Sequence, residues 1–240
     1  MGRATAIKPS DPNETGWMLG TKGNHFAAQH VTLIDLISFA YELHARQIVG
    51  GPEWIRTATY DLEGAPEAPG RPSREQLEAM VRGLLANRLQ LKVSHGKKEL
   101  AVYALLVAKN GPKFKESAEV EGEHSGYNFR SIVPRAEMTV MHMTMDNFAS
   151  ALQRTVMDRP VVNLTGLAGR YSFTLSWTPD DSQFLQWRGT GVNSTPPREQ
   201  PDMPPGLFAG IQEELGLKLQ PTRMRVDVVV VEQIERPTAN

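Results

Sequence analysis

The stretch PVVNLTGLAGRYSFTLSWTPD, residues 160–180, decides the fold class. It reads as a hairpin: a short strand, a glycine-bearing turn and a long strand. Thr165-Gly166 and Ala168-Gly169 supply turn residues, because glycine takes positive φ without a Cβ clash. After the turn, Tyr171, Phe173, Leu175 and Trp177 alternate with Ser172, Thr174 and Ser176. That period of two places four large apolar groups on one face of a sheet. An earlier stretch has a similar plan, QIVGGPEW at 47–54 followed by TYDLE at 59–63. The pairing points to an internal duplication.

The rest of the chain extends this plan. Residues 3–10 read as an edge strand, 17–19 and 25–31 as further strands. Thr32 fits a helix N-cap, with Asp35 three residues on in an imperfect capping box. Leu33, Leu36, Ile37, Ala40 and Tyr41 follow with the spacing of an amphipathic helix. Strands are expected at 48–49 and 57–62, around the turn Gly50-Gly51-Pro52. A loop at 65–72 leads to Ser73 and Gln76, a better capping box, and to the stripe Leu77, Met80, Val81, Leu84, Leu85, with Asn87 as a left-handed stop. Residues 89–93 alternate, His95-Gly96-Lys97-Lys98 reads as a hairpin turn, and 100–109 as a central strand. Residues 110–134 have few apolar groups and read as a linker with an irregular strand near 127–133.

The second half opens as the first does. Residues 137–143 alternate, Thr144 is the N-cap, and Met145, Phe148, Ala149, Leu152 and Val156 form the stripe. Residues 180–205 are the longest irregular segment. A helix over 206–215 is expected to bury Leu207, Phe208, Ile211 and Leu215, with Gly216 as its stop. Residues 217–219 and 225–235 form a closing hairpin. Both halves thus share the order strand, helix, strand, strand, helix, strand, strand. Thr32 answers to Thr144, Tyr60 to Tyr171, Leu62 to Phe173 and Asn87 to Gly216. The fold class is α+β with mixed or antiparallel sheets. The expected domains are a first repeat over 1–112, a linker over 113–135, and a second repeat over 136–240 that carries the long loop 180–205.

Composition narrows the functions. A chain of 240 residues, 40% hydrophobic and 22% charged, can bury one large core or two small ones. A net charge of −1 gives no reason to expect nucleic acid as partner. No apolar run reaches the roughly 18 residues needed to cross a bilayer. The absence of cysteine excludes disulfides, thiolate metal sites and a cysteine nucleophile.

Several segments together resemble a large acidobacterial family of paralogous, uncharacterised proteins, first noted in Solibacter and treated as a domain of unknown function. They are AIKPS at 6–10, VTL at 31–33, IVGGPEW at 48–54, SREQL at 73–77, VYAL at 102–105 and KNGP at 109–112. In the second half they are TGLAGRY at 165–171, WTPD at 177–180 and GLKL at 216–219. The family pattern often has Asp where this chain has Asn163 and Ser172. Its members usually begin with a signal peptide, and some are fused to membrane sensor-protease modules similar to those of β-lactam receptors. The resemblance implies a periplasmic or secreted protein whose signal peptide has been removed. It brings no reaction and no catalytic residues.

The residues themselves offer few chemical constellations. His25 and His30 lie five apart on a strand and so point to opposite faces, and the other four histidines sit in separate elements, so no metal site is expected. Ser125 follows His124, but no G-x-S-x-G elbow exists. No phosphate loop is present, and no cofactor is expected. Asp180-Asp181 can hold a cation or make a turn. The loop 180–205 carries the best candidates for recognition, namely Asp180, Asp181, Phe184, Trp187 and Arg188, because aromatics beside arginine are typical interface chemistry. Phe184, Leu185 and Trp187 can equally fold back onto their own domain. The reading is an exported binding or interaction protein that senses or binds a cell-envelope or extracellular ligand, its partner being a protein, a cell-envelope component or a small molecule, or else a hydrolase with its site in a cleft between the halves.

Overall fold

At two places in this chain a threonine ends a strand and begins a helix. Thr32 and Thr144 both have extended backbone, and each accepts a hydrogen bond on its hydroxyl from the amide three residues on, Asp35 or Asn147. Around Thr32 the capping box is complete, since Asp35 Oδ2 also accepts the Thr32 N–H at 2.9 Å. The computed structural model describes residues 3–13, 16–22, 25–65, 72–117, 125–132, 135–180, 182–184 and 203–237.

The chain is α+β with mixed and antiparallel sheets, and by packing it divides into two units. The first comprises Met1–Lys98 with Arg225–Asn240, the second Glu99–Met224. In the first unit, β1 (Arg3–Pro9), β2 (Met18–Lys22), β3 (His25–Thr32) and β5 (Thr59–Ala65) form an antiparallel sheet in the order β1-β5-β3-β2. Helix α1 (Leu33–Tyr41) follows β3, β4 (Ile48–Gly50) and α2 (Trp54–Thr57) precede β5, and α3 (Arg74–Leu89) follows it. The core gathers Phe26, Leu33, Leu36, Ile37, Ile55, Leu62, Leu85 and Leu89.

In the second unit, β7 (Gly126–Ile132), β8 (Arg135–Thr144) and β10 (Arg170–Trp177) form an antiparallel sheet in the order β10-β8-β7. Helix α4 (Met145–Thr155), β9 (Val161–Asn163) and α5 (Leu207–Leu215) complete it. Its core holds Met138, Phe148, Leu152, Leu175, Trp177, Phe184 and Ile211. The chain passes between the units inside two long strands, β6 (Lys92–Val107) and β11 (Leu217–Gln233), in a sheet ordered β4-β11-β6-β9.

The two threonine junctions share one irregularity. In β3, Gln29 and His30 both face the single residue Asp61 of β5, because the register steps from Ala28↔Leu62 to Val31↔Tyr60. In β8, Met141 and His142 both face Ser172 of β10, between Val140↔Phe173 and Met143↔Tyr171. Each is a β-bulge, with a histidine at φ 51° or 49°. A bulge frees an N–H from the ladder, and the residue opposite satisfies it. Asp61 Oδ1 accepts from His30 N at 3.0 Å, and Ser172 Oγ accepts from His142 N at 2.9 Å. A serine from elsewhere in the chain completes each arrangement: Ser10 Oγ donates to Asp61 at 2.7 Å, and Ser117 Oγ to Ser172 at 2.9 Å.

Several local expectations are corrected. Residues 160–180 are not a hairpin. β9 pairs parallel with β6, whereas β10 pairs with β8, because the Leu164 N–H bonds Leu105 and the Asn163 side chain turns the chain at Thr165. Residues 92–107 are one strand without a turn at 95–98: Gly96 lies 3.7 Å, by its would-be Cβ, from Val228, and Lys97 pairs with Asp227 at 3.2 Å. The closing segment is likewise one strand, β11, that runs through Pro221. Asn87 stays helical, and Gln90 at φ 50° ends α3. A turn of helix, α2, occupies the start of the strand expected at 57–62. Within the expected linker, β7 pairs in regular register from Gly126 to Ile132.

If the opposing side chain is what satisfies the bulge, Asp61→Ser will be tolerated and Asp61→Ala will not. Loss of a partner for a partly buried N–H costs about 1–2 kcal/mol. Denaturant unfolding of the two variants checks this, and equal stability would contradict it.

Candidate functional site

Strand β6 carries Tyr103 within the buried run Val102, Tyr103, Ala104, Leu105. The parallel pairing of β6 with β9, together with the Tyr103 N–H bond to the Pro160 carbonyl at 2.8 Å, brings Asp158 and Arg159 beside the ring. The Arg159 guanidinium lies 4.7 Å from the Tyr103 ring centroid, within cation–π range. It is held there by Asp158, whose two carboxylate oxygens accept from Nε and Nη2 at 3.0–3.1 Å. A paired guanidinium held over a ring loses little further freedom on binding.

Phe208, the second residue of α5, meets Tyr103 edge-on with ring centroids 5.3 Å apart. It is 37% exposed, and with Leu164 it is one of two large apolar side chains exposed among the described residues. The expectation that Phe208 is buried is therefore corrected. At 100° per residue, Leu207, Ile211 and Leu215 stack on the core face and Phe208 falls on its shoulder.

The local field is negative at the phenol. Burial is the largest cause that raises the Tyr103 pKa. The Asp158 charge and hydrogen bond and the Asp180 charge add to it, and Arg159 opposes them. Of the sequence-derived candidates, Asp180 acts on this phenol through its charge. It is exposed, and its Oδ1 accepts from the Ser182 N–H at 2.8 Å and from the Ser182 hydroxyl at 2.5 Å. Phe184 does not present itself to solvent. It is 2% exposed, stacks on Trp177 and packs against Phe129. Gln183 seals the same corner, its Oε1 accepting the Trp177 indole N–H at 2.7 Å. Phe184 therefore folds back onto its own unit. Asp181, Trp187 and Arg188 lie outside the described residues. The stems of residues 185–202 are tied where Thr178 bonds the Pro205 carbonyl through its N–H and the Pro204 carbonyl through its hydroxyl.

Sequence reasoning missed Tyr103, Asp158, Arg159 and Phe208. Only the off-stripe position of Phe208 carried a signal, because the others meet through a parallel strand pairing that no local pattern encodes.

The serine, histidine and acid side chains that do meet are arranged for structure. Ser10 donates to Asp61, whereas the His30 ring Nε2 bonds the Asp11 carbonyl at 3.0 Å, so the hydroxyl is not paired with the imidazole. Ser125 donates to the His142 carbonyl, and His124 lies outside the described residues. Among the described residues, no group of three His, Asp or Glu is placed to hold a metal ion.

Compared with known families, residues 34–234 match the one described as protein of unknown function, DUF3738. No curated protein and no solved structure matches the chain.

The charges around Tyr103 give a titration test. Asp158→Asn removes one negative neighbour and one acceptor, so the phenol will ionise at lower pH, closer to the ordinary value of 10.0. Burial remains, so the shift stops short of that value. Absorbance-detected titration against a Tyr103→Phe control reads it, and no movement, or movement upward, would contradict the assignment.

Proposed function

We propose that this chain, which belongs to that family of proteins of unknown function, is an exported binding protein without catalytic chemistry of its own. The observation that carries the reading is the exposed Phe208 ring beside the arginine-stacked Tyr103, with Asp180 at the stem of residues 185–202. An exposed aromatic next to a held guanidinium and an exposed carboxylate offers an apolar face and polar fixing points together. Recognition surfaces commonly combine these. Trp187, Arg188 and Asp181 extend the surface in this proposal, with a cell-envelope or extracellular molecule as ligand. Phe184 anchors the segment from inside the core.

Export rests on the resemblance of the sequence to exported paralogues. No helix among the described residues is long and apolar enough to cross a membrane. The two halves are, in this reading, descended from one ancestor. Supporting this, the order β5-β3-β2 recurs as β10-β8-β7, and a histidine bulge precedes a threonine cap in both. The Tyr103 cluster of the second unit is not repeated in the first unit, since the register that aligns Val229 with Ile48 and Tyr103 with Val161 puts a valine at the equivalent place. The binding surface is then particular to the second unit.

A thermal-shift screen with peptidoglycan fragments, oligosaccharides and short peptides tests the proposal. A ligand at 100 times its Kd stabilises the fold by about 2.7 kcal/mol. Phe208→Ala, a change at a partly exposed side chain, will keep the fold and abolish the shift. Trp187→Ala will weaken the shift while leaving stability within about 1 kcal/mol, as is usual for surface substitutions. A shift undiminished in Phe208→Ala would move the site elsewhere. A Trp187→Ala loss of about 3 kcal/mol or more would make Trp187 a core residue.

A further inference from the structure

The first unit contains a buried acid that takes no part in the surface above. Glu78, in the second turn of α3, is 4% exposed. Its Oε1 lies 2.7 Å from Arg74 Nε, as an ion pair without a well-aimed hydrogen bond. The same Arg74 nitrogen lies 3.4 Å from Glu42, the left-handed residue that ends α1. Arg74 also rests over the Phe39 ring at 5.5 Å, and Arg82, one turn beyond Glu78, bonds the Ala40 carbonyl. The α1–α3 contact therefore gathers two carboxylates and the carbonyl end of a helix, which carries partial negative charge. Two guanidiniums face them.

Arg74 is shared between two acids, and Arg82 is turned to a backbone carbonyl. Neither compensates Glu78 fully. A buried carboxylate in that position is costly, and a neutral carboxylic acid is much less so. We propose that Glu78 makes the α1–α3 contact a proton-linked clasp, which tightens as the surroundings become acidic.

The linkage has a definite sign. Burial first, and the Glu42 charge second, hold the Glu78 pKa above its ordinary 4.5, against the opposing charges of Arg74 and Arg82. The folded chain therefore holds a proton that the unfolded chain has released, in the window above 4.5. Stability rises as pH falls through that window and is lost as pH rises through the folded-state value. Tyr41 also faces this contact, but its phenol is raised above 10.0 by burial and stays protonated in the window. Asp35, at the opposite end of α1, is raised too, chiefly by burial against its Thr32 hydrogen bonds, and contributes with the same sign. The decisive quantity is thus the difference between the native chain and a Glu78 variant.

The test is denaturant unfolding of the full chain between about pH 8 and pH 4.5, comparing the native protein with Glu78→Gln. One linked proton changes the unfolding constant by at most about tenfold per pH unit. The native chain is expected to gain stability on acidification, and Glu78→Gln to lose up to one proton's worth of that slope. Should Glu78→Gln fail to fold, Glu42→Gln keeps the buried acid and removes its repulsive neighbour, and is expected to shift the rise to lower pH. An unchanged slope in Glu78→Gln, or an unmoved rise in Glu42→Gln, would overturn the proposal.

Discussion

Two residues face one where each unit's strand turns into its helix, and the freed amide has to be satisfied. Much of the architecture follows from that requirement. The bulge bends the strand and increases its twist, so that the next threonine can cap a helix lying on the core face. Without an acceptor opposite, the positive φ of His30 or His142 would come with an orphaned N–H. Asp61 meets the need with a carboxylate and Ser172 with a hydroxyl. The serine drawn in from outside the sheet, Ser10 or Ser117, then fixes the orientation of that acceptor. Asp61 is held below the ordinary carboxylate value although burial opposes it, because the His30 amide, the Ser10 hydroxyl and the nearby His30 and Lys8 charges outweigh burial. Its contribution to stability is present at neutral pH and fades only as pH falls below 3.8.

This also assigns the residues that looked most chemical in the sequence. The acid and serines near the histidines are occupied in supporting the backbone, through Asp61 Oδ1 and the Ser172 hydroxyl oxygen. The second unit differs from the first in the side chains that its parallel strand pair carries, Tyr103 standing where the first unit has Val229. There, a parallel pairing of β9 with β6 brings Arg159 over Tyr103, and the start of α5 leaves Phe208 at the surface. Side chains at these positions can change without disturbing the core beneath them, because they rest on strands and a helix whose own packing is complete.

The parts of this fold that were legible are those set by neighbours in sequence. Thr32, Ser73 and Thr144 announced their helices because a cap is a contact over three residues, and the stripes below them were read from period alone. The long strands were cut in two because His95-Gly96-Lys97-Lys98 and the segment around Pro221 carry turn composition. The pairing of β6 with β11 holds them extended instead, with Lys97–Asp227 and Glu99–Arg223 as neighbours across it, and no local pattern shows this. The bulges were invisible for the same reason. A histidine at positive φ is specified by the residue opposite it, 31 positions away for His30 and 30 for His142. Of the candidate surface, Asp180 was found through its turn, whereas Tyr103 and Arg159 meet only in three dimensions. Phe184 was chosen for being aromatic in an irregular segment, and aromatic residues serve cores at least as often as surfaces.

The claim that underlies this account is that a side chain on the opposing strand satisfies each bulge. Amide hydrogen exchange of His30 and His142, read residue by residue by NMR under native conditions, tests it most directly. The account expects both amides to exchange slowly, on the scale of the ladder amides beside them, because each is bonded and lies within a cooperative sheet. Exchange of both at the rate of an unstructured peptide would show that neither acceptor holds its amide, and the common frame of the two units would lose its basis.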